Sequence, residues 1–367
     1  MDSSIEKSSL TNISKKPYLK LVDINTSSYF NQCWMKIDPA ATSPIMQSND
    51  PSYAYSDNDS LLRVILFAPL SLIGVALNVL VIWAVLRNAE LRKECLSFTI
   101  LSLSLTDLLW SLGVTPEIAL LGLLKDFPIP HGCVFQGFFG YVLWEISVLT
   151  LLVLATLRVL GVWFPMNSQN PIFHHVCKLL PVICWIFASL SLAPIITQHY
   201  GRFGVECKKF MCVIVDVDQD QNQLSLHPIK IFMSVIIFAG VLSTFLNILT
   251  FIKVSRSTRA IFSQMKDSNK EVALRFLQRE KKLQIMVFGL TASFIIVYCP
   301  IIVLLIIDPN AAITKPTVYI MATFFASSLV VVDPIICSIS QEKYRKEIKS
   351  ILSCIYSNVS SMRKKCN

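Results

Sequence analysis

The sequence contains little charge and lacks the motifs that mark most soluble enzymes. Charged residues make up 16% of its 367 residues and hydrophobic residues make up 53%, whereas a soluble globular protein has about 25% charged residues. It has no phosphate-binding glycine loop, no recognisable catalytic constellation and no nucleic-acid-binding motif. Its 11 cysteines form no CxxC pair or Cys/His zinc spacing, and most fall inside apolar runs, which is typical of small core residues. The composition therefore predicts a membrane protein that is not an enzyme.

The first 60 residues lack an apolar stretch of the length found in secretory signals. We therefore expect the first spanning helix to act as its own signal anchor, and we expect residues 1–60 to be disordered. This segment contains N-glycosylation sequons at Asn12, Asn25 and Asn58. They can be used only if this end is extracellular, and three sequons in so polar a segment also arise readily by chance.

Seven apolar runs follow, each with about 20 or more mostly apolar residues, which is enough to cross a hydrocarbon core ~30 Å thick. They lie at roughly 61–86, 96–122, 133–164, 177–198, 229–254, 283–307 and 315–340. The sequence therefore predicts an all-α membrane protein whose seven-transmembrane helix bundle occupies residues 61–340, with a tail at 341–367.

The distribution of lysine and arginine predicts which side of the membrane each end occupies. These residues are concentrated between runs 5 and 6, from Lys253 to Lys282, and in the tail after run 7. Short loops rich in lysine and arginine are typical of the cytoplasmic side. We therefore expect an extracellular N-terminus and a cytoplasmic C-terminus. The same clustering accounts for the net charge of +9 without nucleic-acid binding.

The third run and the landmarks of the other runs carry a family resemblance. Cys133 begins the third run, Arg158 lies 25 residues later, and Pro165 follows after another seven. This spacing resembles the third helix of rhodopsin-like (class A) G-protein-coupled receptors. Landmarks similar to those of the same family occur in the expected order at Asn78, Asp107, Trp185, Pro194, Pro300, Asp333 and Pro334. More narrowly, the segment 200–204 with Cys212 resembles the second outer loop of moody, trapped-in-endoderm and melatonin-type receptors.

The resemblance implies a multi-pass receptor of the cell membrane that binds an extracellular ligand and activates a heterotrimeric G protein. It also implies a disulfide between Cys133 and Cys212, in the oxidising exterior where such bonds persist. A bond between Cys33 and Cys207 is a weaker hypothesis, because four outer cysteines allow three connectivities.

Several residues of the family's activation switch are replaced here. The resemblance assigns coupling and switching to Arg158, Glu280, Tyr298, Pro300, Asp333 and Pro334. Leu157 takes the place of the acid before Arg158, Tyr298 stands where a tryptophan is usual, and Cys337 replaces a tyrosine. Because of these changes, a second hypothesis stays open, in which the chain is a seven-helix decoy or scaffold that does not couple to a G protein. A small-solute transporter is a third hypothesis, although transporters usually show paired repeats with broken helices, and these halves do not correspond.

Two acids inside the runs predict an ion site. An acid at mid-membrane costs several kcal/mol unless it is paired, solvated or protonated. By resemblance, Asp107, Ser147 and Asp333 face one another and hold a sodium ion, for which hard oxygen ligands are suited. The alternative is that the acids are protonated and only hydrogen-bonded between helices. No other cofactor is expected.

The predicted ligand pocket is aromatic and has few polar groups. Gly140 falls where amine receptors carry an aspartate, which argues against a standard biogenic amine. The other predicted pocket residues are Glu117, Tyr141, Trp144, Glu145, Tyr298, Tyr319, Thr323 and Ser327. Such a lining suits an amphipathic or lipid-like molecule, although helix packing explains the same aromatics nearly as well. Glu145 either binds a ligand cation or bonds to run 4 or 5.

The tail predicts a short amphipathic eighth helix on the inner leaflet. Apolar residues recur at helical spacing from Tyr344 to Ile355, and lysines and Arg345 occupy the other face. We expect it to contact membrane lipids, with Cys354 as a palmitoylation site. The alternative is that the segment is only a basic juxtamembrane tail.

Overall fold

The computed structural model describes residues 57–124, 132–164, 171–197, 202–206, 211–215, 227–264, 267–308 and 314–365. Seven helical segments within these ranges are long and apolar enough to cross a membrane, and we call them spans 1 to 7. They are Asn58–Arg87, Cys95–Leu121, Gly132–Trp163, Phe173–Ile196, Phe232–Ser257, Glu280–Ile307 and Pro316–Ser340. Each lies within four residues of its predicted bounds, so the predicted seven-helix fold is confirmed.

Twelve helices build these spans and their extensions in the described part of the chain. In chain order they are α1 (Asp57–Arg87), α2 (Ala89–Lys93), α3 (Cys95–Leu109), α4 (Thr115–Leu124), α5 (Gly132–Trp163), α6 (Pro171–Ser191), α7 (Ala193–Ile196), α8 (His227–Gln264), α9 (Asp267–Ile307), α10 (Pro316–Ser327), α11 (Leu329–Ser340) and α12 (Glu342–Lys365). The helices of spans 5 and 6 contain 38 and 41 residues. At about 1.5 Å per residue, both exceed a hydrocarbon core ~30 Å thick, so they extend beyond the membrane.

The bundle is apolar on its outside and polar in parts of its interior. Leu72, Phe238 and Ile296 are about 70% exposed and face outward, where lipid replaces water as the solvent. Asn78 is fully buried, and its side-chain amide donates to the carbonyls of Gly74 and Val330 at 2.9 and 2.7 Å. These bonds tie span 1 to span 7, because a polar group inside a bundle must find its partners there.

Span 2 contains one turn of π-helix at Trp110–Val114, between α3 and α4. The N–H of Thr115 donates to the carbonyl of Trp110, five residues earlier. Pro116 follows directly, and a proline has no N–H and clashes with the carbonyl four residues before it. The wider turn relieves that clash and re-aims the part of span 2 that follows it.

A short hairpin covers one end of the bundle. Strands β1 (Arg202–Glu206) and β2 (Met211–Val215) are antiparallel, with Val205 opposite Cys212. Cys212 is bonded to Cys133 at the start of span 3, with their Cα atoms 5.3 Å apart, so the predicted disulfide is confirmed. The hairpin itself was not predicted. Cys33 and Cys207 lie outside the described residues, as do Asn12 and Asn25, whereas Asn58 is exposed in the first turn of α1.

A second disulfide joins Cys95, the first residue of α3, to Cys177 in α6. The Cα atoms are 5.5 Å apart, and the bond lies at the opposite end of the bundle from the hairpin. The expectation that cysteines in the apolar runs are only small core residues is therefore wrong for Cys177.

The eighth helix is present as α12 and packs against the start of span 2. The phenol of Tyr344 is buried and donates to Ser97 Oγ at 3.1 Å. Burial raises the pKa of Tyr344, so the phenol stays protonated and can donate this bond. Lys343 Nζ lies 2.9 Å from Glu94 Oε1. Cys354 is exposed, and its palmitoylation stays a prediction.

Candidate functional site

A cavity opens at the hairpin end of the bundle, with about 680 Å³ of empty space including its mouth. We call it the outer cavity. Its lining comes mainly from spans 2, 3, 6 and 7, with Cys212 contributed by the hairpin. A side chain at Gly137 would collide with the ring of Phe203 in β1, so the glycine allows the hairpin to close down on span 3. The disulfide and this glycine therefore shape the mouth of the cavity.

Stacked aromatic rings form the floor of the outer cavity. The rings of Trp144 and Tyr298 are nearly parallel, with centroids 4.9 Å apart. The ring centroids of Phe294 and Tyr298, on the same helix, are 4.6 Å apart. The ring of Phe232 in span 5 meets Trp144 edge to face, with the centroids 5.7 Å apart. These contacts join spans 3, 5 and 6 at one level. A ligand that displaces either stacked ring would change the packing of these helices.

The outer cavity contains two unused hydrogen-bond donors. Gln136 and Trp144 are buried, and neither Gln136 Nε2 nor Trp144 Nε1 has a hydrogen-bond partner among the described residues. Gln136 is held in place because its Oε1 accepts the N–H of Cys212 at 3.4 Å. No lining residue in the described part of the chain is charged. The cavity thus offers N–H donors to a ligand but no carboxylate for a cation.

The structure places six of the nine predicted pocket residues in the lining and three outside it. Those in the lining are Gly140, Tyr141, Trp144, Tyr298, Thr323 and Ser327. Tyr319 instead donates its hydroxyl to the carbonyl of Asp308 at 2.7 Å. Glu117 is buried outside the lining, and its carboxylate has no hydrogen-bond partner among the described residues. The predicted lining is therefore wrong for Tyr319 and Glu117.

Glu145 is also outside the lining, although it follows Trp144 directly. Its Oε2 accepts the hydroxyl of Ser191 in span 4 at 2.6 Å, and the residue is 2% exposed. Successive helix residues point about 100° apart, so Trp144 and Glu145 face different neighbours. The geometry supports the alternative in which Glu145 bonds to span 4, and it does not place this carboxylate against a ligand.

The two acids predicted to bind sodium are both buried near the middle of the bundle. Asp107 and Asp333 lie close enough to interact electrostatically, and each is 4% exposed. Asp107 Oδ2 has no hydrogen-bond partner in the described part of the chain. Ser293 Oγ lies 3.5 Å from Asp333 Oδ1, and Ser147 donates to the carbonyl of Leu143. The unpaired carboxylate oxygen of Asp107, next to a second buried acid, is the kind of ligand that an oxygen-ligated cation takes.

Arg158 and Glu280 meet at the other end of the bundle. Arg158 Nη2 lies 2.7 Å from Glu280 Oε2, and the two side chains are 6% and 22% exposed. Leu157 is buried and offers no local carboxylate. Glu280 is thus the acid that holds Arg158 in the described structure. The role of this pair in coupling stays a prediction.

A polar cluster between spans 3, 5 and 6 was missed in the sequence. Asn247 Nδ2 donates to Thr291 Oγ1 at 2.9 Å, and Gln284 Nε2 donates to the carbonyl of Asn247 at 3.1 Å. Ser243 Oγ donates to the carbonyl of Leu151 at 3.3 Å. Span 5 lacks the proline and tyrosine usual in the resembled family, and these bonds fasten it instead. The available signal was a pair of polar residues in each of two apolar spans, Ser243 and Asn247 in span 5 and Gln284 and Thr291 in span 6.

Comparison with known proteins agrees with this arrangement. Residues 77–336 match the family model described as 7 transmembrane receptor (rhodopsin family). Opsin-3 of Mus musculus is 26% identical over 78% of this chain and 70% of its own length. Protein trapped in endoderm-1 of Drosophila melanogaster is 21% identical over 82% of this chain and 80% of its own length. The crystal structure of squid rhodopsin superposes with a TM-score of 0.70 at 18% identity, covering 82% of this chain and 83% of that one.

The family match covers more than half of the chain, with spans 2 to 6 included completely and spans 1 and 7 included in part. The fold, the Cys133–Cys212 bond and the outer cavity are consistent with it. The chain therefore belongs to the rhodopsin family of seven-transmembrane receptors.

Proposed function

We propose that this protein is a receptor of the cell membrane that binds an extracellular ligand in the outer cavity and activates a heterotrimeric G protein at the opposite end. One observation carries the proposal: spans 3 and 6 meet both at the cavity floor and at the inner ion pair. Trp144 and Tyr298 are stacked at the floor, and Arg158 and Glu280 are paired at the far end. The two contacts are about 21 Å apart along span 3 at ~1.5 Å per residue.

A ligand can act across this distance only through a difference in its affinity for two helix packings. Filling the cavity changes the free energy of the Trp144–Tyr298 contact, and span 6 is a continuous helix from Tyr298 to Glu280. Movement of span 6 at the floor therefore moves Glu280 relative to Arg158. Shifts of packed helices are a common form of switching transition.

The cavity further favours one class of ligand. A buried N–H without a partner costs about 1–3 kcal/mol, so a ligand oxygen that pairs with Gln136 or Trp144 recovers that energy. The described lining has no acid to pair with an ammonium group and no lysine to hold a carbonyl compound as an imine. A buried charge without a partner of opposite sign is costly, so we expect a largely apolar, neutral ligand that carries a hydrogen-bond acceptor. This extends the amphipathic class predicted from the sequence.

Gln136→Leu is expected to lower the potency of an activating ligand about tenfold, which corresponds to a loss of about 1.4 kcal/mol of binding free energy. The substitution keeps the size of the side chain and removes its N–H donor, together with the Oε1 that accepts the N–H of Cys212. Thr323→Val is the matched control, because the Thr323 hydroxyl already donates to the carbonyl of Tyr319. The measurement is G-protein activation against ligand concentration, in cells with equal surface amounts of each variant. Equal potency of both variants and wild type would contradict the assignment of Gln136.

The same cells distinguish the remaining hypotheses. A chain that binds a ligand at the surface but activates no G protein would be a decoy or scaffold, as the replaced switch residues Leu157, Tyr298 and Cys337 allow. Uptake of a solute into sealed vesicles that contain the chain would identify a transporter. Activation of a G protein by ligand without solute uptake is the result expected for a receptor.

We also propose that sodium binds between Asp107, Ser147 and Asp333 and stabilises the resting packing. The ion would neutralise part of the charge of two buried acids, and it would leave when the helices close together. Sodium is expected to lower agonist affinity several-fold in wild type and to have little effect in Asp107→Asn. The measurement compares agonist binding in sodium buffer with binding in a buffer of equal ionic strength containing N-methylglucamine. An identical sodium response in both proteins would exclude the ion site and leave protonated acids as the alternative.

A further inference from the structure

The disulfide between Cys95 and Cys177 lies at the end of the bundle that also contains Arg158 and α12. Cys95 is the first residue of α3 and follows Lys93 and Glu94, whereas Cys177 precedes Lys178 in α6. In the orientation proposed above, this end faces the cytoplasm. The Cys133–Cys212 bond lies at the other end, beside the hairpin. The protein thus has one disulfide on each side of the membrane.

The two sides differ in redox chemistry. Extracellular disulfides persist, whereas cytosolic thiol reductants keep most cysteines reduced, and the disulfides that do form there are usually transient. We propose that Cys95 and Cys177 are a reversible oxidation site, closed to a disulfide by peroxide in the cytosol and reopened by cytosolic thiols.

The exposure of the two residues sets the order of the chemistry. Cys95 is half-buried and Cys177 is fully buried, so peroxide reaches Cys95 first. The position of Cys95 at a helix N-terminus stabilises its thiolate. The thiolate sulfur attacks one oxygen of hydrogen peroxide, the O–O bond breaks, and a sulfenic acid and hydroxide form. The hydroxide takes up the proton that the thiol released and becomes water.

Cys177 then completes the bond. Its sulfur attacks the sulfur of the Cys95 sulfenic acid, the S–O bond breaks, and a second water leaves. Overall, two thiols lose two electrons and two protons, and one peroxide is reduced to two waters. Reopening needs two molecules of a cytosolic thiol such as glutathione, which leave as their own disulfide after thiol–disulfide exchange.

The bond would control the part of span 2 on which α12 rests. Spans 2 and 4 are already joined deeper in the bundle, where Trp185 Nε1 donates to Ser102 Oγ at 3.0 Å. The disulfide fixes the ends of the same two helices, next to Glu94 and Ser97. These two residues contact Lys343 and Tyr344 of α12. Oxidation therefore restrains the surface that holds α12, and reduction releases it.

Differential thiol labelling of the full chain in living cells tests the proposal. Free thiols are blocked with N-ethylmaleimide. Disulfides are then reduced, the released thiols are labelled with isotopically heavy N-ethylmaleimide, and the labelled peptides are quantified by mass spectrometry. The heavy label on Cys95 and Cys177 should be low in resting cells, rise severalfold after hydrogen peroxide, and fall again after peroxide is removed. Cys184 is the internal control, because it is a buried free cysteine in span 4, the span that contains Cys177. In Cys95→Ser, Cys177 should no longer be oxidised, since Cys177 is fully buried and the partner thiol that receives the peroxide is gone.

Three results would overturn the proposal. One is a Cys95–Cys177 bond that is fully formed in resting cells and insensitive to peroxide, which would make it a permanent structural bond. Another is complete blocking of both thiols before and after peroxide. The third concerns the side of the membrane on which the bond lies. The proposal predicts that a membrane-impermeant phosphine reduces the bond in inside-out vesicles and leaves it intact in right-side-out vesicles. The opposite pattern would place the pair outside the cell. None of these readouts depends on ligand binding or G-protein coupling.

Discussion

Replacing Glu280 with alanine is expected to raise ligand-independent G-protein activation several-fold. The substitution removes the carboxylate that lies 2.7 Å from Arg158. Breaking a fully buried ion pair from one side costs up to ~3–5 kcal/mol, and we expect about 1–2 kcal/mol for this partly exposed pair. Since ~1.4 kcal/mol is a tenfold change in an equilibrium constant, a loss of that size moves much of the population to the active packing.

The opposite change is expected from Leu157→Asp. By the family resemblance, Leu157 stands where an acid precedes the arginine, and an aspartate there would give Arg158 a second partner in the resting state. Basal activation should therefore fall below that of wild type. Lys281→Ala is the matched control, because it removes a neighbouring exposed charge that does not pair with Arg158.

Basal activation is measured at equal surface expression for wild type and all three variants. If neither Glu280→Ala nor Leu157→Asp changes it, the pair does not hold the resting state. If wild type is silent as well, that outcome favours the decoy hypothesis.

Cys133→Ala is expected to abolish surface expression or ligand binding. The Cys133–Cys212 bond closes a segment of 79 residues and fixes the hairpin over the outer cavity. Losing a native disulfide from a small secreted domain costs about 2–5 kcal/mol, and here the hairpin would also lose its anchor on span 3. Surface protein is measured by antibody labelling of intact cells, and binding is measured with an activating ligand.

Two further variants show whether the bond itself is responsible. Cys212→Ala should match Cys133→Ala, and the double variant should be no worse than either one, because each change removes the same interaction. Cys184→Ala is the control, since it removes a buried cysteine that has no disulfide. Normal surface amounts and binding in Cys133→Ala would show that the bond is dispensable.

The seven spans were predictable because their signal is local. Each contains enough consecutive apolar residues to cross a membrane, and the lysines and arginines of the intervening loops indicate an orientation. The contact of Arg158 with Glu280 and the Cys133–Cys212 bond were predictable only through resemblance to a family. Each joins residues distant in sequence, and no local pattern identifies such partners.

The errors arose where a rotation or a distant contact decides the outcome. Glu145 follows Trp144, yet a rotation of about 100° per residue turns its carboxylate to Ser191 and away from the outer cavity. The π-helical turn at Trp110–Val114 shifts the register of span 2, so a regular helix could not place Glu117 correctly. The Cys95–Cys177 bond depends on how spans 2 and 4 approach each other, and hydropathy carries no such information.

Nucleotide exchange on purified G proteins tests the central claim most directly. The full chain is placed in lipid nanodiscs, and exchange of GDP for GTP is measured on each class of heterotrimer, with Glu280→Ala beside wild type. Arg158→Leu is measured as well, because it breaks the same pair but also removes the residue to which the family resemblance assigns G-protein coupling. The receptor account predicts exchange on at least one class above the rate of the G protein alone, faster with Glu280→Ala than with wild type and slowest with Arg158→Leu. Equal exchange rates with and without the chain, for every class and for Glu280→Ala as well, would contradict it.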